Sequence, residues 1–160
     1  MAQTNSNNNI FSTKKILVPV DFSKHSKISM DYAIALAKIS GAEILVFHVF
    51  EKPAVPQTIW MSKQVITTYK NYFKEVEKKT KDELQNFLEK FDTGNIEIKT
   101  KVKLGLPYLE IIDIANKENV DLIVIGTRGL TVFQKMLIGS TADRIVRKAK
   151  CNVLLVRSKR

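Results

Sequence analysis

Lys15-Ile-Leu-Val-Pro-Val20, Ile44-Leu-Val-Phe-His-Val-Phe50, Asp121-Leu-Ile-Val-Ile125 and Val153-Leu-Leu-Val156 are short and almost continuously apolar. Unbroken runs of this kind are what strands buried on both faces of a parallel sheet require. A fifth segment differs: Ile96, Ile98, Thr100, Val102 and Leu104 alternate with polar residues, which predicts a strand with one solvated face. Between these segments the apolar period changes to that of a helix. Ile28, Tyr32, Ala35, Leu36 and Ile39 mark the first, which stops at Ser40-Gly41. Pro53 and Pro56 interrupt the chain before a long helix from about Ser62 to Phe91, whose face runs through Tyr69, Phe73, Val76, Leu84 and Phe87. Pro107 opens a third helix, with Ile111, Ile112, Ile114 and Ala115. The last runs from Ser140 to Ala149, with Ala142, Ile145, Val146 and Ala149 on one face. Alternating buried-type strands and helices satisfy only a sheet covered on both sides. The expected fold is α/β: a single doubly wound domain, with a five-stranded parallel sheet and four helices. Its predicted extent is residues 14–158, after a flexible polar tail over residues 1–13.

Composition narrows the class. At 160 residues with 44% apolar content the chain is the size of one ordinary globular domain. No apolar stretch reaches the roughly 18 residues of a membrane span. Met1 to Asn9 is polar and asparagine-rich, without the apolar core of a secretory leader. A lone cysteine, Cys151, excludes a disulfide framework within the chain and any multi-cysteine zinc site. Together these predict a cytoplasmic protein without a membrane partner. The net charge is +10, and the stretch from Gly126 to Arg160 carries nine basic residues against the single acid Asp143. Such a segment suits a polyanion, either nucleotide phosphate or nucleic acid, or is simply a solvated face with a basic tail.

In doubly wound sheets, ligands bind beyond the carboxyl ends of the strands, where strand order reverses. The first strand ends in Pro19-Val20-Asp21, which places a carboxylate at the rim. The fourth ends in Gly126-Thr-Arg-Gly129, and nine residues later comes Gly139-Ser140-Thr141. Gly126 and Gly129 let the backbone turn sharply and approach a phosphate. Gly139-Ser140-Thr141 opens a helix, whose free N–H groups and positive dipole end attract an anion. The hydroxyls of Ser140 and Thr141 can donate to phosphate or ligate a phosphate-bound Mg²⁺, and Arg128 can supply charge. The same stretch has a second reading in which Ser140 and Asp143 form an ordinary capping box and the glycines serve turns alone. Neither a G-x-x-x-x-G-K-[ST] loop nor a G-x-G-x-x-G fingerprint occurs, nor an S-G-G-x-D-S stretch after the first strand.

Gly126-x2-Gly129-x9-Gly139-Ser140 resembles the ATP-binding motif of the universal stress protein family. Four further stretches carry the same resemblance: Lys15-Ile-Leu-Val-Pro-Val-Asp21-Phe-Ser23, His48-Val49, Gly105-x-Pro107-x-x-Glu110-Ile111 and Val120-Asp-Leu-Ile-Val-Ile-Gly126. It spans about Lys14 to Arg157. The resemblance implies an adenine nucleotide alpha hydrolase-like fold with ATP between the first and fourth strand ends. It puts Pro19, Val20 and Asp21 on the adenosine side, with Asp21 touching ribose or adenine, and Val49 near the base. Ile125, Gly126, Arg128 and Gly129 would form the phosphate loop. Gly139, Ser140, Thr141 and Ala142 would close on it from the helix start, Ala142 offering only its backbone N–H where some members have a hydroxyl. The family also implies a homodimer through the last strand, Val153 to Val156, and an unknown protein partner.

The remaining conspicuous residues read as structural. His25 is expected on an exposed helix face, His48 as a hydrogen-bonded core residue, Cys151 as a small buried filler and Trp60 as a packing residue. The histidines lack metal-ligand spacing, and no Ser/His/Asp constellation is evident. The leading expectation is therefore an ATP-binding regulatory module acting as a homodimer under stress, with no catalytic residue assigned. Three rivals stand beside it. One is a slow ATPase or an autophosphorylating protein using Ser140 or Thr141, for which Asp21 is the sole well-placed base and lies far from a γ-phosphate. Another is nucleic-acid binding, which no aromatic-basic or helix-turn-helix pattern supports. The third is a dimeric scaffold that binds no nucleotide.

Overall fold

Successive strand residues point to opposite faces, so a run that is apolar at every position feeds two cores at once. The computed structural model describes residues 12–51, 63–127 and 138–157 and shows this division. In chain order the elements are β1 (Lys15–Pro19), α1 (Lys24–Ser40), β2 (Glu43–Phe50), α2 (Lys63–Leu88), β3 (Ile98–Leu104), α3 (Pro107–Lys117), β4 (Leu122–Gly126), α4 (Ser140–Lys148) and β5 (Asn152–Val156). The strands form one parallel sheet in the order β3-β2-β1-β4-β5. Ile16, Val18, Ile44, Val46 and Val124 face α1 and α2, against Met30, Ala33, Leu84 and Phe87. Leu17, Leu45, Phe47, Ile123 and Ile125 face α3 and α4, against Ile111, Ala115, Ala142 and Ile145. Among the described residues no helix is long and apolar enough to cross a membrane.

The expected doubly wound α/β sheet is therefore present, with differences at its edges. The face of α1 is not the predicted one: Tyr32 and Ile39 are exposed, and Ser26, Ser29, Met30, Ala33, Ile34 and Ala37 are buried. Small residues let this helix lie close to the sheet, and the buried Ser29 hydroxyl is satisfied by donating to the His25 carbonyl at 3.0 Å. Gly41 ends α1 as expected, in the left-handed region with φ 72°. α2 stops at Leu88 rather than Phe91, because beyond Glu89 the amides reach back only three residues, from Lys90 to Phe87 and from Phe91 to Leu88. The predicted start at Ser62, and Trp60 with it, lies outside the described residues.

β3 begins at Ile98; Ile96 instead closes a turn by donating its N–H to the Thr93 carbonyl at 3.1 Å. The solvated face of β3 carries Lys99, Lys101 and Lys103. They are matched by Glu43, by Glu118, and by Glu110 with Asp113. The lysine row of this strand is thus locally neutralised. At α4 the capping box does not form: Gly139 is the N-cap, no side chain caps the helix, and Asp143 pairs with Arg147 instead. Val146, expected on the buried face, is exposed, whereas Ala142 and Ile145 are buried. His25 is partly covered rather than exposed, and Cys151 is half-buried against the α3/α4 core.

Ile44, in β2 between β1 and β3, has no solvent exposure. Ile44→Ala is expected to lower unfolding free energy by about 2–5 kcal/mol, read as a lower denaturant midpoint at unchanged slope. A shift within about 0.5 kcal/mol would place this residue outside the core.

Candidate functional site

The site begins with a missing hydrogen-bond donor. In a parallel strand the N–H and C=O of alternate residues face the same neighbour. The Lys15 carbonyl accepts from Asp121 N–H, so odd-numbered residues of β1 face β4, and the Val20 N–H donates to Phe47 in β2. Pro19 therefore turns toward β4 with no N–H to give. The β1–β4 register accordingly extends only over Ile16↔Leu122 and Leu17↔Ile123. On the other side, β1 stays paired with β2 as far as Pro19↔Phe47. The two central strands part toward their carboxyl ends, and a cavity of about 390 Å³ opens there.

This cavity brings together ten of the twelve residues picked out in the sequence. Pro19, Val20 and Asp21 come from β1 and the turn after it, Val49 from β2, Ile125 and Gly126 from β4, and Gly139, Ser140, Thr141 and Ala142 from the start of α4. Arg128 and Gly129 lie outside the described residues. Phe22, Ser26, Phe47, His48, Glu51, Glu83, Pro107, Ile111 and Thr127 also line it and were not picked out. Pro107, Ile111, Val49 and Phe47 supply an apolar wall, whereas Asp21, Glu51 and Glu83 supply carboxylates.

Two devices shape the rim. Thr127 is buried, donates its N–H to the Val156 carbonyl and accepts the Gly139 N–H at 2.7 Å. That bond ties the start of α4 back to the end of β4, so the helix N-terminus faces the cavity. Lacking a side-chain cap, this end keeps first-turn N–H groups and positive dipole available to an anion. On the other side Phe22 sits in the left-handed region, φ 62°, where a bulky side chain is strained. Its ring stacks on His48, with centroids 4.6 Å apart, and meets the edge of Phe87.

His48 is the half-buried partner in that stack. Its Nδ1 lies 2.8 Å from the Val20 carbonyl, which can only accept, so Nδ1 carries the proton. Burial pushes the His48 pKa down from its ordinary value, opposed by the Val20 hydrogen bond and the charges of Asp21 and Glu83. The ring is thus neutral at pH 7, with Nε2 an acceptor. Asp21 is held at the opposite end of the Val20 peptide by Ser23 and Ser26.

A sequence scan would find Ser26 only by reading Ser23-x-x-Ser26 as a helix start. Nothing local marks Glu83, which the fold delivers from α2.

The chain matches the model of the universal stress protein family over residues 12–157. It is 31% identical over 148 residues to the universal stress protein YxiE of Bacillus subtilis, covering 89% of this chain and 98% of that one. It is 26% identical to the universal stress protein MJ0577 of Methanocaldococcus jannaschii, over 91% of this chain and 96% of the other. The solved structure of MJ0577 superimposes with a TM-score of 0.79 at 27% identity, covering 93% and 99% of the two chains. A universal stress protein solved in complex with cAMP shares the fold, with TM-score 0.59 at 20% identity over 92% of this chain and 99% of that one.

His48 carries a pH prediction. Its pKa is lower folded than unfolded, so below about pH 6.5 the unfolded chain takes up the proton first. Acidification from that point down to the folded pKa should therefore lower the thermal midpoint. His48→Asn keeps an amide donor near the Nδ1 position and should flatten the slope. An identical pH profile for both proteins would contradict the assignment.

Proposed function

The chain belongs to the universal stress protein family, and from that premise we propose that it is an ATP-binding regulatory protein whose nucleotide state governs a partner interaction under stress. The observation that carries the reading is the cavity itself. Its size falls in the range of small-molecule sites, and it joins an apolar slot to an uncapped helix N-terminus across the sheet's switch point. In this reading adenosine lies toward Val49, Pro19 and Asp21. The phosphates meet Gly126 and the N–H groups of Ser140, Thr141 and Ala142, joined by Arg128 and Gly129. Mg²⁺ would arrive on the phosphates, within reach of the Ser140 and Thr141 hydroxyls. Such a metal neutralises phosphate charge and orients the chain.

The homodimer belongs to the same proposal. β5 lies at the sheet's outer edge and exposes part of Val153, Leu154 and Leu155. Two such edges related by a two-fold axis would pair with each other and remove an otherwise open ladder. The regulatory role is favoured over slow ATP hydrolysis or autophosphorylation because Asp21, the carboxylate at the β1 rim, is engaged by Ser23 and Ser26 and belongs to the adenosine end.

Calorimetric titration of nucleotide-free protein with Mg-ATP tests the reading. Micromolar binding is expected, and Gly139→Val should weaken it at least tenfold, about 1.4 kcal/mol. A side chain there crowds the buried position from which Gly139 N–H reaches Thr127. Unchanged affinity in that variant would exclude the α4 start from the site. No heat from any nucleotide would leave the non-nucleotide scaffold as the reading.

A further inference from the structure

The turn after β1 holds a closed set of hydrogen bonds. Ser26 Oγ donates to Asp21 Oδ1 at 2.6 Å and accepts the Asp21 N–H at 2.9 Å, so one hydroxyl grips both the backbone and the side chain of the same residue. The Ser23 N–H donates to the same Oδ1 at 3.1 Å, and Ser23 Oγ in turn caps α1 by accepting the Ser26 N–H. Ser23 and Ser26 are buried, and Asp21 is half-buried at the cavity wall, which Ser26 also lines. Two donors on one oxygen fix the plane of a carboxylate and therefore the position of its other oxygen. The strained backbone at Phe22 lies between the residues that these bonds join. A set this short and charge-assisted is stronger than neutral hydrogen bonding at a surface.

We infer that Ser26 is a positioning residue of the nucleotide site, its hydroxyl setting the direction in which the Asp21 carboxylate meets the ligand. The inference rests on the ATP reading above. It distinguishes Ser26 from an ordinary cap residue, because the capping bond of α1 uses the Ser26 backbone N–H and not its hydroxyl. Removing the hydroxyl leaves that cap in place and takes away the shorter of the two bonds described on Asp21 Oδ1, so the Ser23 N–H alone of that pair still orients the carboxylate.

A double-mutant cycle on the full chain decides it, with Mg-ATP titrated into wild type, Ser26→Ala, Asp21→Ala and the double variant. Asp21→Ala should weaken binding about tenfold, as loss of a hydrogen bond to a charged group does. Ser26→Ala should weaken it about three- to tenfold, while the double variant should bind within about twofold of Asp21→Ala. Ser26→Cys keeps the side-chain bulk with a poor donor and should behave as Ser26→Ala does. Thermal melts confirm that each variant is folded at the titration temperature. Wild-type affinity in Ser26→Ala, or an equal loss in both backgrounds, would overturn the positioning role while leaving ATP binding intact. Full affinity in Asp21→Ala would remove Asp21 from the site and the inference with it, whereas no binding by wild type would overturn the ATP reading first.

Discussion

Everything at the functional end of this molecule depends on where β1 and β4 stop pairing. β1 is the central strand, with β2 on one side and β4 on the other. The chain winds away from it in both directions, so helices leave no cover over the gap between β1 and β4. Pro19 enforces the gap at atomic scale, because it faces β4 and has no N–H to donate. The same residue remains in register with Phe47 on the other side, so opening the crevice does not loosen the sheet as a whole.

Around that gap the two walls are held by different physics. On the β4 side a backbone bond from Gly139 to Thr127 anchors the start of α4, and the absence of a side-chain cap leaves its dipole facing inward. On the β1 side the turn is over-determined: Phe22 stacks on His48, His48 bonds the Val20 carbonyl, and Ser26 grips Asp21. A left-handed phenylalanine persists only where its surroundings compel it, and these contacts are what compel it. One wall thus offers donors to an anion, and the other offers a fixed carboxylate and a neutral imidazole.

The architecture was legible because burial on both faces of a parallel sheet demands continuous apolar runs, and Ile16, Val18, Leu45 and Ile123 belong to such runs. The face of α1 was not, since Ser26 and Ser29 are polar by type yet buried by virtue of local hydrogen bonds. Of the two readings of the α4 start, the capping box fails because Gly139 rather than Ser140 is the N-cap, and Asp143 pairs with Arg147 one turn on. At the site, residues announced by glycine spacing and strand ends were readable. Glu83 reaches the cavity through tertiary packing that nothing local encodes, His48 reads from sequence as core, and Ser26 is marked only by the Ser23-x-x-Ser26 spacing of a helix start.

The central claim is that one nucleotide spans both walls of this crevice. The most direct measurement is a backbone amide NMR titration of the uniformly ¹⁵N-labelled protein with Mg-ATP. The account predicts saturable shifts concentrated at Gly126, Gly139, Ser140, Thr141 and Ala142 on one wall and at Val20, Asp21 and Val49 on the other. Shifts confined to one wall, or centred on the β3 edge or the outer face of β5, would contradict it.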